Sequence, residues 1–105
     1  MSFEKRFPKN DKIWKYSNPR IAQKMAHKYF GKTAKIFRSK TKDRKYCIVN
    51  NKGNGVNFGL IGYEDYTKHK NKSRRKNYLT RSARIKGNWR ENKYSPNNLS
   101  RKILW

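Results

Sequence analysis

Residues 56–70, VNFGLIGYEDYTKHK, hold the densest group of side chains that could do acid–base or metal chemistry. They include two of the six carboxylates, Glu64 and Asp65, and one of the two histidines, His69. A hydrolase or nuclease needs several carboxylates around a metal ion, or a nucleophile beside a base. Because adjacent residues of a strand point to opposite faces, Glu64 and Asp65 would not easily share one ion. The sequence therefore predicts no enzyme, no metal site and no cofactor.

A structural role suits the same segment better. Its glycines allow close backbone approach, its tyrosines can pack with their hydroxyls bonded, and its histidine can act as a hydrogen-bonding strut. We expect Asp65 to serve as a local anion for Arg74 or Arg75 on the segment that follows. Six residues are accordingly predicted to be structural: Gly59, Gly62, Tyr63, Asp65, Tyr66 and His69.

The charge of the chain is its most informative property. Among 105 residues, 29 are Lys or Arg and 6 are Asp or Glu, which gives a formal net charge of +23. A compact chain with this charge repels itself, and a polyanion or an acidic partner would relieve the repulsion. Aromatic residues make up 14% of the chain and supply apolar area that disordered charged tails lack. We therefore expect a small folded core under a cationic surface.

Length, cysteine content and hydropathy exclude several classes of protein. A chain this short has a thin stability margin and little room for a spacious catalytic cleft, so no small-molecule substrate is expected. The single cysteine, Cys47, cannot form an internal disulfide. No apolar run approaches the roughly 18 residues of a membrane span, and the first residues contain no signal-peptide core. We expect a protein that is not secreted and does not span a membrane.

The pattern along the chain predicts an α+β fold. Residues 1–16 have no regular period and are predicted to be an extended basic and aromatic arm, followed by a single domain over residues 17–105. In that domain either Ser17 or Asn18 can cap an amphipathic helix, and Pro19 and Gly31 have the residue types that begin and end it. Residues 33–62 then read as a three-stranded antiparallel meander whose last turn is NKGNG.

Two further elements are predicted after the sheet. A second helix should begin after Asn71 and run to Gly87, with a narrow apolar stripe through Tyr78, Leu79, Ser82 and Ile85. The segment SPNNLSRKILW predicts a short C-terminal helix, because Ser-Pro is a common helix start. The cations that surround the apolar stripe of the second helix are predicted to bind a polyanion or an acidic partner: Arg74, Arg75, Lys76, Arg81, Arg84 and Lys86.

Apolar side chains at the two ends form a second predicted surface. The arm has no period and the tail is too short to be stable alone, yet together they carry more apolar area than a small monomer leaves exposed. We therefore expect both ends to dock on neighbouring subunits through Phe3, Phe7, Trp14, Leu99, Ile103, Leu104 and Trp105.

An ordered series of short motifs over residues 45–105 carries a resemblance to a known family. The motifs are Phe58-Gly59, Gly62-Tyr63, Asp65-Tyr66-Thr67, His69, a basic helix with Tyr78 and Arg81, Trp89, Ser100-Arg101 and Ile103-Leu104-Trp105. The chain resembles a family of short basic proteins of unknown function that recurs in giant, nucleocytoplasmic large DNA viruses. The resemblance implies a viral setting and no particular mechanism.

Two functions are expected from these observations. The first is a non-enzymatic virion component, a minor capsid or cement protein that contacts capsid subunits and packaged DNA. The alternative is a nucleic-acid-binding protein, either genome-condensing or of the ribosomal RNA-binding type, with non-specific contacts. Binding to anionic lipid at a membrane surface is a less favoured function, because no predicted basic helix has a broad apolar face. The corresponding expected location is the virion.

Overall fold

A three-stranded antiparallel sheet in the order β1-β2-β3 lies at the centre of the fold. The computed structural model of the chain describes residues 2–105. The elements are, in chain order, α1 Phe3–Arg6, α2 Ile13–Tyr16, α3 Pro19–Phe30, β1 Ile36–Arg38, β2 Arg44–Val49, β3 Gly55–Leu60, α4 Tyr66–His69, α5 Lys72–Ser82, α6 Pro96–Leu99 and a π-helical segment, Ser100–Leu104. The predicted α+β class with a small meander is thus confirmed.

The hairpin between β2 and β3 forms as the sequence predicts. Tyr46 pairs with Phe58 across the two strands, and both side chains are buried in the core. In the connecting turn the Asn50 side chain accepts hydrogen bonds from the backbone N–H groups of Lys52 and Asn54, each at 2.9 Å. Gly53 adopts a φ of +83°, a conformation that glycine adopts without steric cost. The turn therefore fixes the register that buries the strand aromatics.

Helix α3 begins and ends at the predicted residues. The Asn18 side chain accepts hydrogen bonds from two N–H groups of the first turn, Pro19 occupies the first position, and Gly31 follows the last turn at a φ of +98°. One buried polar residue of this helix, Gln23, links it to the sheet. Its Oε1 accepts from the backbone N–H of Ile36 at 3.0 Å. The Gln23 side chain thus satisfies a backbone donor of β1, which has no neighbouring strand on that side of the sheet within residues 2–105.

The N-terminal segment is not the extended arm that the sequence predicts. It forms the short helices α1 and α2, and it packs on the protein's own core through Phe7 and Ile13, which are buried. The Phe7 ring meets the Tyr46 ring edge-on at 5.7 Å. Asp11 holds the turn between the helices, because its Oδ1 accepts from the N–H of Ile13 and from Arg38. Helices of four residues have too little sequence to display a period, which is why the segment reads as irregular.

The C-terminal segment also completes the core. Ser95 caps α6 by accepting from the N–H of Asn98, and Pro96 is its first residue, as predicted. Three of the apolar residues that the sequence assigns to partner docking, Leu99, Ile103 and Leu104, are fully buried here. Phe7 is buried as well, so four of the seven predicted docking residues have no exposed surface that a partner could contact. Those four positions are corrected from partner contacts to core residues, whereas Phe3, Trp14 and Trp105 are partly buried against the same core.

Helix α5 begins as predicted and ends early. The Asn71 side chain accepts from the N–H of Arg74 at 3.0 Å, but the helix stops at Ser82 rather than at Gly87. Ile85 lies beyond that end and is 51% exposed, so it does not extend the apolar stripe. Two of the predicted polyanion-binding cations, Arg84 and Lys86, therefore lie on the loop after the helix.

Candidate functional site

A concave groove with a volume of about 630 Å³ opens between the sheet, helix α5 and the C-terminal segment. The end of β3 contributes Gly59 and Leu60 to its wall, and α6 contributes Pro96 and Asn97. Gly59 is required at this position. Its φ is +81°, and a Cβ there would lie 2.9 Å from the Leu104 side chain. The tail can approach the sheet closely only because this residue has no side chain.

Arginine side chains from separate elements line this basic groove. Arg44 comes from the start of β2, and Arg74 and Arg81 come from α5, where their spacing of seven residues places them on one helix face. All three are exposed. Glu64 also lines the groove and forms an exposed ion pair with Arg74 at 3.3 Å. The exposed part of the lining therefore presents three positive groups and a single carboxylate, whereas the fourth cation of the lining, Lys45, is buried.

Aromatic rings form the other conspicuous part of the lining. Tyr78 of α5 stacks on Trp105 with ring centroids 4.2 Å apart and planes 10° apart. Burial raises the pKa of Tyr78, with an opposing effect from its hydrogen bond to Ser100. Tyr63 stands apart from this pair, because its side chain is 68% exposed. The groove thus has one aromatic pair in its wall and one open aromatic ring at its edge.

Beneath the groove, a buried ion pair joins β2 to the turn before α4. Lys45 Nζ donates to Asp65 Oδ2 at 3.1 Å and to the Tyr63 carbonyl at 2.6 Å, and the two charged side chains are 3% and 0% exposed. Burial lowers the pKa of Lys45, and the adjacent Asp65 carboxylate opposes that shift. Asp65 does not pair with Arg74 or Arg75, so the predicted partners were wrong. Lys45 is the partner that sequence reasoning missed.

A chain of hydroxyl groups continues from Asp65 into the core. Asp65 Oδ1 accepts from both the N–H and the hydroxyl of Thr67. Ser17 lies 3.0 Å from the Thr67 hydroxyl, and the Tyr46 hydroxyl donates to Ser17 at 2.7 Å. Burial raises the pKa of Tyr46 well above its usual range, which keeps the phenol protonated as a donor. These bonds tie the N-terminal segment, the sheet and α4 to one buried carboxylate.

His69 forms the contact between α4 and the start of α5. Its Nδ1 accepts from the N–H of Asn71 at 2.9 Å, which places the proton of the neutral ring on Nε2. The ring packs 5.2 Å from Trp105. Burial lowers the pKa of His69, and Arg74 adds to that effect, while Glu64 and Asp65 oppose it. Protonation of Nδ1 would also break the bond to Asn71.

The free energy of unfolding is expected to fall as the pH decreases from 7 toward 5. His69 has a lower pKa in the folded protein than in the unfolded chain, so the unfolded chain takes up a proton first and is favoured below the ordinary histidine pKa of about 6.5. Urea unfolding across this range should show the loss, and H69Q should flatten it. H27Q replaces an exposed histidine and is the matched control. Equal pH dependence in H69Q and the parent would contradict the assignment.

The structure brings together only some of the predicted site residues. Arg74 and Arg81 line the groove, whereas Arg75 donates from Nε to the Trp105 carbonyl and packs on the Tyr66 ring at 5.4 Å. Lys76, Arg84 and Lys86 are exposed outside the groove lining. Tyr63 was expected to pack, and its exposure corrects that expectation. Arg44 was missed, because a cation at the start of a strand has no local feature that marks it as part of a site.

Most of the positive charge has no carboxylate partner. The four ion pairs found within residues 2–105 engage four of the 29 Lys and Arg side chains. One pair is buried and the others are at least partly exposed to solvent. The remaining cations repel one another in the folded protein and would gain from an external polyanion.

Neither a group of metal ligands nor a membrane-spanning helix is found in the part of the chain that the structure describes. Across residues 2–105, no three His, Cys, Asp or Glu side chains come together in a group that could hold a metal ion. No helix in this range has the length and apolar character of a membrane span.

Comparison with known proteins finds a match to one family model over part of the chain. No curated protein and no solved structure shows a significant match to the chain. The family model matches residues 34–82. The motifs of the sequence resemblance cover residues 45–105, so the two ranges share the residues from β2 to the end of α5. Residues 34–82, which contain the sheet, the buried Asp65 and the basic helix, match the family of unknown function DUF5754.

Proposed function

We propose that the protein is a non-enzymatic nucleic-acid-binding protein that contacts phosphate groups without sequence preference. The observation that carries this proposal is the charge, because four of 29 cations are paired with carboxylates within residues 2–105. All six cations predicted from the sequence of the second helix are exposed. Each phosphate contact by such a side chain releases condensed counterions, which favours binding at low salt.

The burial of the two ends favours nucleic-acid binding over the cement function. A cement protein that bridges subunits through its ends would keep apolar arm and tail residues available for those subunits. Phe7, Leu99, Ile103 and Leu104 instead pack in the protein's own core. A self-contained domain with a cationic surface fits nucleic-acid binding better, so we rank this function above that of a virion cement protein.

Salt dependence of binding to duplex DNA tests the proposal. R74A/K76A/R81A removes three exposed cations of α5, and it should flatten the slope of log affinity against log salt by up to about 2.7, at about 0.9 for each phosphate that the variant no longer neutralises. K9A/K24A/K32A removes the same charge from exposed positions outside the groove and should change the slope little. Fluorescence anisotropy measures both. Equal slopes for the two variants would place the phosphate-binding surface away from α5, and no binding by the parent would refute the function.

A viral setting is a second, narrower proposal. The motifs of residues 45–105 resemble those of short basic proteins of giant DNA viruses, and the cationic surface is suited to packaged DNA or to acidic patches on capsid subunits. In that setting the protein would lie in the genome-containing core or against the inner face of the capsid. Locating the chain in particles by cryo-electron microscopy distinguishes the two positions, and its absence from particles would refute the setting.

A further inference from the structure

We propose that the basic groove binds an unpaired nucleotide, with its base stacked on Tyr63 and its phosphates at Arg44, Arg74 and Arg81, so that the protein prefers single strands to duplex. This inference rests on the proposed function and adds the form of nucleic acid that the site selects. It is argued from the shape of the groove, its open aromatic ring and the placement of its charges.

The shape favours an unpaired nucleotide. A concavity of about 630 Å³ falls in the range of about 300 to 1,000 Å³ typical of small-ligand sites. A single nucleotide can enter a space of this size. A base in a duplex is held in its stack and pair, and removing it costs a few kcal/mol. A duplex can therefore place phosphates on the rim of the groove, whereas a single strand can also fill the interior.

Tyr63 supplies the stacking surface. It is the most exposed of the large hydrophobic side chains described in residues 2–105, at 68%, and it follows Gly62, whose φ of +104° turns the chain at the groove edge. Its carbonyl accepts from the buried Lys45 ammonium, so the backbone that carries the ring is fixed from below. Stacking on an open aromatic ring is the main sequence-tolerant contact in single-strand binding.

The polar lining is suited to the rest of the nucleotide. Arg44, Arg74 and Arg81 approach the groove from two sides and can contact successive phosphates. Asn77 lines the same wall with an exposed amide that can donate and accept at a base edge. Glu64 holds Arg74 at 3.3 Å in the free protein, and an incoming phosphate would compete with it. Removing that carboxylate should therefore strengthen binding.

An acidic polypeptide is the competing occupant of a cationic groove. Carboxylates would satisfy the arginines, but a polyglutamate chain has no flat ring to cover Tyr63. The exposed aromatic ring is thus the feature that favours nucleic acid over an acidic protein segment, and dependence of binding on Tyr63 separates the two.

Binding of labelled oligothymidylate, a duplex of the same length and an abasic strand tests the inference. The parent should bind oligothymidylate tightest. Y63A should weaken that binding by about 5- to 150-fold, the equivalent of about 1 to 3 kcal/mol of stacking, and leave the abasic strand and the duplex unchanged. Y63F keeps the ring and should bind like the parent, and E64Q should bind oligothymidylate more tightly. Because Tyr63 is exposed, thermal unfolding of Y63A and Y63F should match that of the parent.

Each contrary outcome has a definite meaning. If the parent binds duplex as tightly as oligothymidylate, or if Y63A weakens all three probes equally, the groove does not take a base and only the proposed function survives. If polyglutamate binds with the same dependence on Tyr63, the occupant is an acidic chain and the inference is overturned. If none of the nucleic acids binds, the proposed function itself fails.

Discussion

D65N is expected to reduce the free energy of unfolding by about 3 to 5 kcal/mol, the usual cost of removing one partner from a buried ion pair. The substitution keeps the size of the side chain and removes its charge. Lys45 Nζ would then keep the Tyr63 carbonyl as its acceptor, with no carboxylate to balance a charge that is 3% exposed. Urea unfolding measures the loss.

The neighbouring carboxylate provides a matched control. Glu64 pairs with Arg74 at 3.3 Å, but the two side chains are 41% and 49% exposed, so E64Q should cost no more than about 1 kcal/mol. The double variant K45M/D65N replaces both charges, and it should be more stable than D65N because no buried charge is left unpaired. A loss in D65N no larger than that in E64Q would mean that the pair contributes nothing to stability.

The fold was predictable where local chemistry specifies it. Asn18, Asn71 and Ser95 cap their helices as their residue types and positions indicate, and Asn50 with Gly53 makes the predicted hairpin turn. Each of these features is decided within a few residues, so a single sequence contains the information. The three-stranded meander follows from the same turns and from the strand patterns between them.

The candidate site was predictable only in part, because it depends on contacts between distant segments. Arg74 and Arg81 could be found from the cationic helix, but Arg44 joins them only through the sheet register and the packing of the tail on Gly59. The pairing of Lys45 with Asp65 spans twenty residues of sequence. Among 29 cations, no local feature distinguishes the one that becomes buried.

Removal of residues 96–105 is expected to abolish the cooperative unfolding transition. The deletion takes Leu99, Ile103 and Leu104 from the core and removes the Trp105 ring that stacks on Tyr78. Replacing a single buried leucine with alanine costs about 2 to 5 kcal/mol, and a small domain has only about 5 to 15 kcal/mol of stability in total. Circular dichroism on heating should show a gradual change in place of a sigmoidal one.

Point variants distinguish loss of core packing from loss of charge. L99A should lower the free energy of unfolding by about 2 to 5 kcal/mol, because Leu99 is fully buried. K102A lies in the same segment, removes one exposed cation and should change stability by no more than about 0.5 kcal/mol. If the truncated chain still unfolds cooperatively, the tail is not part of the core. Its apolar residues would then be free to dock on a neighbouring subunit, and the virion cement function would rank above nucleic-acid binding.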